Sequence, residues 1–280
     1  MSDSLLEAEL VQAEGMIFEG LKDDALEKLV MLTQDAEEYI NGNCVTTDEV
    51  QYFSFPTIFE YLAYKKIEND PREIRDAGEP FDRLYADLAL AQVMAGDYNL
   101  AGEALKQAVR WNPMECEHRL RLADICLTNG DVNEYLALTY SCFERASDVQ
   151  HLIRAYVNFA SYFKQTGQTE LCCAALKCAV RLNFEEASLV HMLEEVSGTN
   201  ADPKNITDEQ ANQLLANEGI PEGANAEIAI ILLMCASDAA KVQDKVLATN
   251  LTLKARDLVG APACAALIEL IQAEGGVENE

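Results

Sequence analysis

Residues 82–113 read DRLYADLALAQVMAGDYNLAGEALKQAVRWNP. Apolar residues recur three and four apart on both sides of Gly96-Asp97-Tyr98, so two amphipathic helices meet at a bend. The bend returns. Gly130 follows Gly96 by 34 residues, and both glycines precede an aspartate (Asp97, Asp131) and then an apolar residue (Tyr98, Val132). That spacing is the period of a helix–turn–helix repeat. Gly167 marks a third turn 37 residues further on. Away from the turns, EALKQAVRWNP at 103–113 and AALKCAVRLNF at 174–184 share seven of eleven residues. Three copies of one helical hairpin therefore run from Asp82 to Phe184.

Each copy places a small residue where helices must approach closely. Ala89, Ala123 and Ala160 hold that place in the first helices, preceded by the large apolar Leu88, Leu122 and Phe159. In the second helices Ala101, Leu105 and Ala108 recur as Cys172, Leu176 and Ala179, on one helical face. Pro113 forbids continuation after the first copy.

These positions resemble the tetratricopeptide repeat (TPR) family. The likeness is good in copies one and three and poorer in copy two, where Tyr135, Thr139 and Cys142 replace the usual small and aromatic residues. The GDY bend and the WNP turn at Trp111–Pro113 also look like a group of uncharacterised bacterial repeat proteins. The resemblance implies an all-α, TPR-like α-solenoid with helical N- and C-terminal extensions. The expected divisions are an acidic extension at 1–81, the repeats with a capping helix at 82–197, and a C-terminal helical region at 206–274.

The net charge of −27 sits in the flanks, with −13 in residues 1–81 and −12 in residues 185–280. No basic stripe exists to meet phosphates, so nucleic acid is not an expected partner, and anionic membrane surfaces are disfavoured by the same sign. The longest apolar run, Ile228–Ala236, is far short of a membrane span. The start MSDSLLEAEL lacks a basic region and an apolar core, so no signal peptide is expected and the nine cysteines are read as reduced, buried thiols. Localisation is expected to be cytoplasmic.

Along the flanks, residues 4–40 read as a helix pair bending near Gly20, a degenerate or capping repeat. Residues 50–55 are a loop or a short strand with no evident partner, and Thr57–Glu68 is a helix. Ser197–Asn205 is the expected domain boundary. Thr207 with Gln210 forms a capping-box signature, and helices follow at 226–239, 241–259 and 262–273. That region is either diverged repeats or a small bundle.

Cys116-x-His118 lacks the second ligand pair a structural zinc needs, and Cys172, Cys173 and Cys178 do not share one helical direction. No nucleophile elbow and no phosphate-binding loop occur. No cofactor, no metal and no catalysis are expected; an enzyme site near Ser197–Asn205 would need a deep polar pocket with convergent titratable groups.

Binding remains. In the TPR family the first helices of successive repeats line a concave groove that holds a peptide or partner helix. The resemblance assigns to that groove Arg83, Asp87, Leu90 and Met94 from copy one. Copy two gives Leu120, Arg121, Asp124 and Leu127, and copy three gives Arg154, Val157, Asn158 and Ser161. The chaperone-docking members grip a terminal carboxylate with a clamp lysine. Ala86, Leu120 and Val157 stand at that place, so such docking is not implied. The expectation is a scaffold for a protein or peptide partner, with a peptide- or ligand-sensing regulator as the alternative. The groove is either open or filled by the N-terminal helices, and the oligomeric state is not legible.

Overall fold

The computed structural model describes residues 5–275. Contacts divide the chain into two compact units, Met1–Tyr135 and Leu136–Glu280. The first holds α1 (Leu5–Phe18), α2 (Lys22–Asn43), β1 (Val50–Phe53), α3 (Ile58–Glu68), β2 (Glu73–Asp76), α4 (Phe81–Ala95), α5 (Tyr98–Trp111) and α6 (Cys116–Thr128). Helix α7 (Val132–Arg145) begins in the first unit and ends in the second. The second continues with α8 (Val149–Gln165), α9 (Thr169–Arg181), α10 (Ala187–Val196), α11 (Asp208–Asn217), α12 (Ala226–Lys241), α13 (Lys245–Val259) and α14 (Ala261–Gly275). The fold is all-α, as the sequence leads one to expect.

Among the described residues six helices end in the same way, at Gly20, Gly96, Gly130, Gly167, Gly219 and Gln243. Each of these residues has φ between 65° and 84°. Its N–H bonds the carbonyl three residues back, and the next N–H bonds the carbonyl five residues back at 2.8–2.9 Å. The last carbonyls of each helix are thereby satisfied within the turn itself. Seven residues before five of these turns stand Ala13, Ala89, Ala123, Ala160 and Ala236, all at most 5% exposed, whereas Asn212 holds that place before Gly219. The same alanine and the same turn thus recur outside residues 82–184. The N-terminal pair and α12–α13 share both features with the three copies.

Two features differ from expectation. The segment at Val50 is a strand with a partner. It pairs in parallel with β2, Val50 opposite Glu73 and Phe53 opposite Asp76, with α3 as the crossover. Thr57 and Glu60 cap α3 reciprocally. This insertion is fastened to the end of α5. The Ser54 N–H donates to the Trp111 carbonyl (2.9 Å), and Arg110 donates to the Tyr52 carbonyl (2.8 Å) while its guanidinium lies 3.9 Å from the Trp111 ring centre. Phe81 packs on Trp111 with ring centres 4.9 Å apart.

Ser197–Asn205 is not a linker between units; it lies inside the second. Asp202 accepts from the N–H groups of Lys204 (3.0 Å) and Gly198 (3.2 Å), and Cys173 Sγ donates to the Asp202 carbonyl (3.2 Å). Further on, the Tyr156 hydroxyl donates to the Pro221 carbonyl (2.9 Å) and accepts from the Gly223 N–H (2.7 Å), tying α8 to the loop before α12.

Candidate functional site

Once the repeat register is fixed, the outward side chains of the first unit fall into rows. Six residues before the buried alanine stand Glu7 in α1, Arg83 in α4 and Glu117 in α6. Two before it stand Val11, Asp87 and Arg121, and one after it Glu14, Leu90 and Asp124. None of these is buried. Three before it stand Leu10, Ala86 and Leu120, at 0%, 6% and 0% exposure. That row faces the core.

The same argument corrects two expected groove residues. Leu120 is fully buried, and Val157, three before Ala160 in α8, is 6% exposed. A residue one helical turn from the buried alanine shares its face, so both are core rather than groove lining. The remaining expected residues stay at the surface or half-buried. Leu90 is 37% exposed, Asp124 is exposed, and Met94, Arg121 and Leu127 are half-buried. In the second unit Arg154, Asn158 and Ser161 are half-buried on α8. There the Asn158 amide donates to Thr139 Oγ1 at 3.2 Å, and Ser161 Oγ accepts from Gln165 Nε2 at 3.4 Å.

What sequence reading did not supply is which residues of α1 meet Arg83. Arg83 is forked by Glu14, with Nε to Oε1 at 2.6 Å and Nη2 to Oε2 at 2.7 Å, and Glu7 Oε1 takes Nη1 at 2.6 Å. The N-terminal helix is therefore tied to α4 at Arg83. A signal for its register was present: Ala13 precedes Gly20 by the same seven residues that separate Ala89 from Gly96. On α6, Arg121 Nε pairs with Glu117 Oε1 at 2.7 Å, one turn away.

Asp87 sits amid these charges. Burial is the main force disfavouring its ionisation, and the neighbouring Glu14 carboxylate adds to it; Arg83 and Arg121 oppose. The balance pushes Asp87 up to about 7, and its Oδ2 is shut from water with no hydrogen-bond partner. Glu14 moves the other way, its carboxyl held below the usual range by the Arg83 hydrogen bonds. Arg83, in turn, holds its proton more firmly because of Glu14. The face is thus a partly neutralised lattice of carboxylates and guanidiniums with apolar side chains between them.

The other candidate chemistries take their places as follows. Cys116 and His118 are buried, and neither ring nitrogen of His118 has a hydrogen-bond partner. Asp82 Oδ2 lies 3.8 Å from Nε2 and accepts from the Asn112 amide at 3.2 Å. Cys172, Cys173 and Cys178 are buried in α9, and burial pushes the Cys172 and Cys178 thiols up to about 11. Beside Ser197–Asn205 lies a cleft of about 680 Å³, lined by the amides of Asn200, Asn205, Gln210 and Gln213 with Glu170 and Cys173. Its polar groups are mostly amides, where an enzyme site called for several converging titratable groups. Among the described residues no helix is long and apolar enough to cross a membrane.

No protein-family model matches the chain. No curated protein matches it either. Among solved structures, a chain titled "Functional Characterization of Pseudomonas Aeruginosa pilF" is similar over 96% of both chains, at 14% identity and a TM-score of 0.44. A likeness of that degree says nothing of function.

Proposed function

We propose that this protein is a cytoplasmic protein-interaction scaffold, and that the outward face of α1, α4 and α6 takes a peptide or helix from a partner. The observation that supports the reading is the row pattern. At each repeat the residues one turn from the alanine are core, whereas those beside them carry charges and apolar side chains that the fold leaves at the surface. Leu90 offers an apolar contact, and Asp87, Arg121 and Asp124 surround it with directional polar groups. Because Glu7 and Glu14 already hold Arg83, an incoming carboxylate would compete with them for that guanidinium. Nine free cysteines suit a reducing compartment.

The test is site-directed photo-crosslinking in native extract, with the photoreactive residue at Leu90 or Asp124 and, as control, at Gln107 on α5. Adducts formed at the first two positions and absent at the third are the expected result. Adducts that do not depend on position would sink the reading.

A further inference from the structure

A second surface lies at the α1–α2 hairpin and shares no residue with the face just described. It is a cleft of about 510 Å³ running along α2 from Lys28 to Tyr39, a path of roughly 16 Å at helical rise. Its floor is apolar, built from Met31, Leu32 and Phe81 among others. Part of that apolar surface is open to water: Leu5 is 79% exposed, Met31 60% and Tyr39 42%. Three turns of helix, open at the side and apolar at the base, fit the footprint of an amphipathic helix laid in a groove.

The rim names the charge of the occupant. Glu9, Asp35 and Glu79 line the cleft, against one cation, Lys28. Lys28 is already engaged, by Glu9 and by Gln12 at 3.1 Å. Glu79 is short of a donor, because its Oε2 is buried with no hydrogen-bond partner. The half-buried Glu79 carboxylate is stabilised through space by a cation brought to the rim. Outside the cleft, α2 exposes Asp23, Asp24, Glu27, Glu37 and Glu38. The field over this hairpin is therefore negative.

We infer that the cleft between α1 and α2 is a docking site for a basic amphipathic helix of a partner protein. Its apolar residues enter over Met31, Leu32 and Phe81, and its lysines or arginines meet Asp35 and Glu79. An anionic bilayer is the wrong sign for this rim, and a second copy would bring another acidic hairpin against it.

The probe is a fluorescent helical peptide of leucine and lysine in amphipathic order, read by anisotropy on the full chain. Its counterpart carries glutamate in place of lysine. Three variants each change the net charge by one: Met31→Lys and Glu79→Gln in the cleft, and Asp238→Asn at an exposed position of α12 as the control. All three are checked for native helicity. The expected result is binding of the lysine peptide alone, weakened at least about tenfold by each cleft variant and less than about twofold by the control. Equal loss in the control would reduce the effect to overall acidity and overturn the proposal, as would cleft variants that bind like the wild type. Sedimentation and vesicle flotation complete the test. A dimer dissociated by Met31→Lys, or vesicle binding abolished by it, assigns the cleft to another occupant and also overturns the proposal.

Discussion

Replacing Asp87 with asparagine should stabilise the protein in alkali and do little in acid. In the native state the group keeps its proton up to about pH 7, whereas an ordinary aspartate releases it near 3.8. Between those values the folded chain binds one proton more than the unfolded chain, so stability falls as pH rises. From about pH 5 to about pH 8 the ceiling on that loss is about 3 kcal/mol, at about 1.4 kcal/mol per pH unit of differential binding. Water still reaches part of the side chain, so roughly half, about 1.5 kcal/mol, is expected. Asparagine keeps the shape of the protonated acid and cannot ionise. Urea unfolding followed by circular dichroism at the two pH values gives the difference between variant and wild type. That difference should grow by about 1.5 kcal/mol in favour of the variant at the higher pH. A pH-independent difference, or one that grows as pH falls, would refute the burial argument for Asp87.

Three further outcomes follow from particular residues. Gly96 has φ of 84° at a repeat turn, while Gly15 lies within α1 with nothing within 4 Å of an added Cβ. Gly96→Ala should cost about 1 kcal/mol, and Gly15→Ala should gain up to about 1 kcal/mol, a sign difference that thermal melts would expose. Tyr156→Phe leaves the Pro221 carbonyl and the Gly223 N–H without their bridge and should cost about 1–3 kcal/mol in denaturant unfolding. Burial raises the thiols of Cys172, Cys173 and Cys178, so alkylation of these three in the native protein should lag far behind that in urea. Mass spectrometry of the α9 peptide measures it, and rapid native labelling there would contradict their placement.

The helical hairpins were legible because their signals are local. A glycine at the bend and an alanine seven residues earlier lie on one stretch of chain, so reading needs no knowledge of distant partners. The strand pair was hidden for the opposite reason. Glu73-Ile74-Arg75-Asp76 has no apolar alternation to mark it, since it is mostly exposed, and its partner lies across a whole helix. Leu120 and Val157 were misplaced by carrying over the family's groove positions. The chain's own period would have put both beside a buried alanine. The ion pairs of Glu7 and Glu14 with Arg83 join residues about seventy positions apart, and no sequence pattern spells out such a pairing.

The repeated turn has a consequence for how such a chain tolerates change. Each hairpin closes through bonds that reach no further than five residues back, so nothing in its closure depends on how far away the next hairpin begins. The connectors are accordingly unequal: residues 112–115 suffice between α5 and α6, whereas residues 44–80 intervene between α2 and α4 and contain β1, α3 and β2. Lengthening a connector adds only a slowly growing loop entropy. Insertions should therefore be accepted between hairpins and rejected within them. The α3 insertion then marks the kind of place where this architecture can acquire new parts without relearning how to fold.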